Sequence, residues 1–329
     1  MDPDEDARFR ATVDAAELKI ELDNLDAFAA VDEPGADALL GDADNALFPQ
    51  GGDVMVYGDG GAGKTTLVID AALHLGAGAD WLGIPVQKVA RVLLIENEGP
   101  RALLRRKLRR RLDTWEGSAS EVRVLRSPWA KFTLASEEWR VALAKTIDEH
   151  EIDVVVAGPL TRIGMDAAGT LQDVVAFVAL LDDLRERCAR SLTVVLIHHQ
   201  GKSGSVSGAW EGAGDTLLHV KSAGPGHTIC TVQKARWASE YHGRTFKLEW
   251  TAGGGFATEV ERDLPAEIEE LLSDGKWRTI EEIRDEVKAG TKAVREVVED
   301  DDERFAMLTG ERARQVGRKS TAKLYGRPQ

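Results

Sequence analysis

The run Gly58-Asp59-Gly60-Gly61-Ala62-Gly63-Lys64-Thr65, with Thr66 after it, matches the spacing G-x-x-x-x-G-K-[ST]. Glycines so spaced let successive backbone N–H groups turn toward one anion, and a helix that begins at the end of the run adds the positive end of its dipole. A lysine at Lys64 neutralises charge between the β- and γ-phosphates of a nucleotide, and the Thr65 hydroxyl is placed to ligate Mg²⁺. The context has the required order, because apolar residues 54–57 precede the run and apolar residues 67–75 follow it. Mg-ATP is the expected ligand, held by Gly58, Asp59, Gly60, Gly61, Ala62, Gly63, Lys64, Thr65 and Thr66.

A second chemical group follows in Val92-Leu93-Leu94-Ile95-Glu96-Asn97-Glu98. A carboxylate at the C-terminal end of a parallel strand faces the nucleotide crevice, where it can orient or deprotonate an attacking water. Glu96 and Glu98 both qualify, and one catalytic carboxylate is expected. Residues 101–111 put leucines on one helical face and seven basic residues on the rest. That pattern predicts a solvated or intersubunit face in preference to a nucleic-acid groove. His198-His199-Gln200 closes the apolar run 192–197. A histidine pair there suits a packed strand end or a metal site, but no Cys or acidic cluster with metal spacing stands beside it. The Gly/Ser-rich residues 201–208 have the composition of a linker.

These groups need a rigid frame, and the sequence has one. Short apolar runs at 54–57, 92–95, 154–157, 192–197, 216–220 and 228–232 are bounded by Gly, Pro and charge and alternate with helical periods. Such runs are strands buried on both faces, which predicts an α/β fold with a mostly parallel central sheet. The texture changes again near residue 264. Helical periods at 265–272, 280–287 and 292–300, a strand at 305–309, Gly310 and a basic end predict a small winged helix. The expected domains are an acidic N-terminal arm (1–50), an ATPase domain (51–262) and a winged-helix module (263–329).

Composition bounds the rest. The 329 residues carry a formal charge of −14, of which residues 1–50, with fourteen acidic and three basic side chains, supply −11. The remainder is nearly balanced, so the overall charge does not exclude nucleic acid. Hydrophobic residues at 43% exclude a chain disordered throughout. Two cysteines, Cys188 and Cys230, predict buried thiols in a reducing cytoplasmic compartment. No apolar stretch has the length of a membrane span, and no secretion signal opens the chain.

Across residues 51–251 the chain resembles the RecA-like core of DnaB-type and RepA-type hexameric replicative helicases and of related plasmid and phage ATPases. The resemblance implies a RecA-like P-loop core that assembles as a homo-oligomer, a hexamer in those families, with single-stranded DNA in its channel. It puts Glu98 at the catalytic glutamate, with Glu96 two places ahead, and His199 at a polar γ-phosphate sensor. It puts residues 201–208 on a loop facing the channel. It makes Lys234 and Arg236, in Val232-Gln233-Lys234-Ala235-Arg236, a finger that reaches the γ-phosphate of the next subunit; added cationic charge there is worth orders of magnitude in rate. One position departs from the pattern. Gly158 stands where the Walker B Asp is expected, so Glu96, Glu98, Asp166 or Asp215 would have to order the Mg²⁺ water shell.

In the last module Arg304, Arg312, Arg314, Arg318, Lys319, Lys323 and Arg327 face Glu311 alone, a local charge of +6 suited to DNA phosphates. The expected function is therefore a DNA-dependent ATPase, a hexameric helicase or translocase in replication of a plasmid, phage or mobile element, working with other replication proteins. The rival is an ATP-controlled DNA-binding initiator or loader with weak or no hydrolysis, which the missing Asp favours. A small-molecule P-loop kinase accounts for the loop but for neither Lys234 and Arg236 nor the basic module.

Overall fold

Alternation within each apolar run sets the layers. Along β3 (Asp53–Gly58), Val54 and Val56 face one core cluster while Met55 and Tyr57 face the other. The same period-two split recurs in β4 (Val92–Glu96), β6 (Val154–Gly158) and β7 (Thr193–His199), so the sheet is covered on both faces. Each fully buried Val, Leu or Ile contributes about 1.5–3 kcal/mol relative to exposure. The computed structural model describes residues 21–32, 37–165, 170–200, 208–258, 264–287, 289–301 and 304–327. It divides into two units, Met1–Thr258 and Glu259–Gln329.

In the first unit nine strands run in the order β11-β10-β9-β8-β3-β7-β6-β4-β5, where β5 is Val122–Val124, β8 Thr216–Ser222, β9 His227–Ala235, β10 Thr245–Trp250 and β11 Phe256–Thr258. From β8 to β5 the pairing is parallel; from β8 through β11 it is antiparallel. This is the expected α/β architecture with a mostly parallel central sheet, the arrangement of a RecA-like P-loop core. α1 is the short Leu25–Ala29 segment. α2 (Lys64–Ala77) and α3 (Arg101–Leu112) lie on one face, with Leu67, Leu73 and Leu75 buried and Leu104 and Leu108 packed against the same cluster. α4 (Glu137–Glu149), α5 (Leu171–Arg187) and α6 (Gly208–Ala213) cover the other face through Ile147, Phe177, Leu181 and Trp210. Thr170 and Asp173 form a capping box that fixes the start of α5.

The expected arm does not extend to residue 50. β1 (Ala38–Gly41) and β2 (Ala46–Pro49) pair as a hairpin, and Leu39, Leu40, Leu47 and Phe48 are buried in the main core. Two apolar pairs separated by Asp and Gly look like punctuation in sequence, yet they are a core-covering hairpin. Cys230 is fully buried, whereas Cys188, just past α5, is only half-buried; both are free thiols whose pKa burial raises, to about 12 and about 11. Among the described residues, no helix is long and apolar enough to cross a membrane.

The second unit contains α7 (Leu264–Leu271), α8 (Ile280–Val287), α9 (Thr291–Asp300), β12 (Ala306–Leu308), α10 (Glu311–Gln315) and β13 (Leu324–Gly326). Ile268, Leu272, Ile283, Val294, Val298, Phe305 and Tyr325 form its core. β12 and β13 are antiparallel, and Arg278 bridges Tyr325. Both α10 and β13 lie inside what the sequence offered only as a basic end.

Candidate functional site

The Gly58–Thr66 loop joins β3 to α2. Gly63, at φ +95°, is the N-cap of α2 and offers no side chain to its N–H groups, so the helix start is left to bind an anion. A β-carbon placed on Gly60 or Gly61 would meet nothing within 4 Å, so that stretch of backbone is open. Lys64 is buried, and its Nζ donates to the carbonyl oxygens of Gly58 (2.9 Å) and Asp59 (2.7 Å). Burial lowers its pKa, and the carboxylates of Asp59 and Glu98 oppose that shift.

A cavity of about 730 Å³ opens over this loop. Gly61, Gly63, Lys64, Thr65 and Thr66 form its floor, and Glu96, Glu98 and His199 come from the ends of the neighbouring strands. Lys64 Nζ is 3.5 Å from Nδ1 of His199, and Nε2 of that ring is 3.8 Å from Oε2 of Glu98. Glu96 ends β4 and is half-buried; its Oε1 accepts from the Glu98 amide at 2.8 Å. Burial raises the Glu96 pKa, the Glu98 amide lowers it, and the Glu98 charge raises it further. His198 points the other way, with Nδ1 buried and unpartnered, and burial together with His199 and Lys64 brings its pKa to about 4.

Three parts of this cavity were not singled out from sequence. Trp250 closes one side, its Nε1 donating to Thr228 Oγ1 at 2.7 Å, while Thr228 Oγ1 donates to the Ala62 carbonyl at 3.2 Å. Arg106, Lys107 and Arg110 of α3 also line the cavity, and Arg110 Nε donates to the Ala252 carbonyl at 2.7 Å. Desolvation lowers the Lys107 pKa, opposed by Glu96. So α3 does not present a uniformly solvated basic face: one edge of it belongs to the site. The third part is the turn at 251–254, which lies over α3. The seven basic residues of 101–111 signalled charge; only the packing of α3 shows which of them turn inward.

Gly158 ends β6 beside Glu96 and also lines the cavity. A β-carbon there would lie 2.6 Å from Ile197 Cβ and 3.0 Å from the Ile197 carbonyl oxygen, so glycine is a packing requirement of this strand end. Of the acids that could take over from the missing Asp, Glu96 and Glu98 are in the cavity. Asp215 is not: its Oδ2 accepts from the Asp53 amide (3.0 Å) and its Oδ1 from Trp237 Nε1 (3.0 Å), at the start of β3 and β8. Asp166 and residues 201–207 lie outside the described residues. Among the described residues no group of three or more His, Cys, Asp or Glu side chains could hold a metal ion by itself.

Lys234 and Arg236 do not join this cavity. Lys234 is level with Leu217 and so with Met55, and the Arg236 amide donates to the Asp215 carbonyl (2.9 Å). Arg236 is therefore level with Asp53 with β8 between them, five residues of strand (roughly 16 Å) along the sheet and two strand spacings (roughly 10 Å) across it from Gly58. Both cations cap the end of α6: Lys234 Nζ donates to the carbonyls of Glu211 and Gly214, and Arg236 Nη2 to that of Gly212 at 2.9 Å. Arg236 Nη1 also pairs with Asp215 Oδ1 at 3.2 Å.

An anion-binding helix start with a buried lysine, carboxylates at an adjacent strand end and a mostly parallel sheet define a P-loop nucleotide-binding ATPase domain. Residues 18–205, more than half of the chain, match the model of the AAA domain family, and the chain belongs to that family. Among solved structures the chain is similar to a KaiC-like protein from the hyperthermophilic archaeon Pyrococcus horikoshii, at 15% identity and a TM-score of 0.46, over 69% of this chain and 97% of that one. No curated protein matches it.

Proposed function

We propose that the chain is a Mg-ATP-dependent, DNA-stimulated ATPase that works as a homo-oligomeric ring, a hexameric helicase or translocase in the replication of a plasmid, phage or mobile element. The residues fit Mg-ATP. Open backbone at Gly60 and Gly61, the α2 N-terminus and Lys64 suit the phosphates; Thr65, with Glu96 or Glu98, would hold Mg²⁺, which supplies charge neutralisation on the transferred phosphoryl group. Glu98 activates water beside His199, and Glu96 keeps the Glu98 backbone in place.

The observation that carries the reading is the separation of Lys234 and Arg236 from the phosphate loop of their own chain. If these side chains act on a nucleotide it is one held by a neighbouring copy, and the catalytic unit is then an assembly. In the second unit the order helix, bridge, two helices and hairpin favours a winged helix that binds DNA. Four of the seven basic residues from Arg304 onward are already paired: Arg304 with Asp301, Arg318 with Glu282, Lys323 with Glu299 and Arg327 with Glu269. Phosphate contacts are thus expected from Arg312, Arg314 and Lys319, which form no ion pair among the described residues.

The second reading is an ATP-controlled DNA-binding loader with little hydrolysis, favoured by Gly158. ATP turnover with and without single-stranded DNA, measured alongside particle mass, tests both. DNA-stimulated turnover by an assembled particle supports the motor; bound ATP with no turnover in either state favours the loader.

A further inference from the structure

β7 turns its two histidines to opposite faces of the sheet, and only His199 lines the nucleotide cavity. Gln200, the next residue, returns to the other face, where its Oε1 accepts from Nε2 of His219 on β8 at 2.9 Å. An amide oxygen only accepts, so the His219 proton sits on Nε2. Desolvation and Lys221 lower the pKa of this ring, with Asp59 opposing them, so it is neutral near pH 7. The Gln200 amide donates to the Gly58 carbonyl at 3.1 Å, and the same oxygen accepts from Lys64 Nζ. Gln200 is thus held at both ends, its backbone by the phosphate loop and its side chain by His219.

His219 is itself fixed. Its ring stacks on Tyr57, with centroids 4.6 Å apart and planes 4° from parallel, and both rings are buried. The Tyr57 hydroxyl donates to Gln233 Oε1 at 2.9 Å. Gln233 is free to do this because β9 bulges there: Leu217 is level with Lys234 and Leu218 with Val232, which leaves Gln233 as the extra residue. A bulge re-aims the side chain it carries. Around His219 on β8, Leu217, Leu218 and Val220 are buried and apolar. Packing alone would be served by another such side chain, because a buried imidazole costs desolvation unless its polar atoms are paired. The partner it has is the residue beside His199.

We propose that His219 is a positioning residue for the nucleotide reaction: from the far face of the sheet it holds Gln200, and Gln200 keeps His199 against Lys64 and Glu98. Tyr57 and Gln233 set the plane of its ring. The proposal rests on the ATPase reading above, in which His199 works beside Glu98.

His219→Leu keeps bulk and removes the donor. In the full-length chain it should lower the single-turnover rate of ATP hydrolysis by about 10- to 100-fold, the cost of a small misplacement, with ATP affinity kept. Gln200→Leu breaks the same bond outside the core and should give the same loss. His219→Gln, whose amide can donate in place of Nε2, should recover most of the rate. Denaturant melts report that each variant is folded. Combining His219→Leu with His199→Ala separates positioning from general damage: a residue that acts through His199 costs nothing further once His199 is gone. Wild-type turnover by Gln200→Leu overturns the proposal, as does an equal loss from His219→Leu with and without His199. Wild-type turnover by His199→Ala also overturns it, while leaving Glu98 and the phosphate loop in place. A wild-type chain that binds ATP and never turns it over overturns the ATPase reading and this proposal together.

Discussion

Lys64 Nζ lies 3.5 Å from Nδ1 of His199, so the phosphate loop and the end of β7 meet through one ammonium and one imidazole. An ammonium only donates, so a neutral His199 ring that accepts from Lys64 does so at Nδ1 and carries its proton on Nε2, which is 3.8 Å from Glu98 Oε2. Three strand ends are linked in this way, and the tautomer of His199 follows from the chemistry of its two neighbours.

Lys64→Ala should weaken Mg-ATP binding by about 10- to 150-fold, the loss expected for hydrogen bonds to a charged group. Nucleotide titration by calorimetry checks this. Affinity equal to wild type would remove Lys64 from the phosphate site.

Glu98→Gln should lower turnover by about 10²- to 10⁴-fold with ATP binding kept, as for removal of a general base. Glu96→Gln should cost less, because Glu96 is engaged with the Glu98 amide. Single-turnover rates for the two variants decide between them, and a larger effect at Glu96 would move the catalytic role to the strand end.

Gly158→Ala should destabilise the first unit by about 1–3 kcal/mol, the usual cost of overpacking, since the new methyl would press on Ile197. Gly158→Asp, which restores the residue expected from the resemblance, should lose stability and fail to raise turnover. Denaturant melts paired with rates test both, and a faster, equally stable Gly158→Asp chain would show that the strand end can yield.

Arg312→Glu/Lys319→Glu in the full chain should make DNA affinity less dependent on salt, the logarithmic slope falling by about one for each phosphate no longer neutralised. Binding to a short duplex and a single strand across a salt series measures it. An unchanged slope would assign the second unit to protein contacts.

Arg236→Ala should leave ATP binding in its own P-loop intact and lower turnover of the assembled protein by about 10³- to 10⁵-fold if the side chain acts in the adjacent site. Mixing Arg236→Ala with Lys64→Ala chains should then recover part of the activity, through sites that pair an intact loop with an intact Arg236. Near wild-type turnover by Arg236→Ala alone would confine Arg236 to capping α6.

The sequence by itself determined the phosphate loop, the α/β sheet and the strand ends at Glu96, Glu98 and His199. Glycine spacing and period-two burial are local properties, and each can be read within a dozen residues. It did not determine the hairpin at 38–49, because two buried pairs set among Asp and Gly leave no periodicity to detect. Nor did it sort the basic residues of α3, since Arg105 and Arg106 are neighbours in sequence but one lines a groove beside β5 and the other the nucleotide cavity. Only the tertiary structure decided that Gly158 is glycine because Ile197 packs against it, and that Arg236 lies roughly 16 Å along the sheet and two strands across it from Gly58 of the same chain. Those facts depend on strand order and register, which bring together residues tens of positions apart, and no local pattern encodes a distance across a sheet.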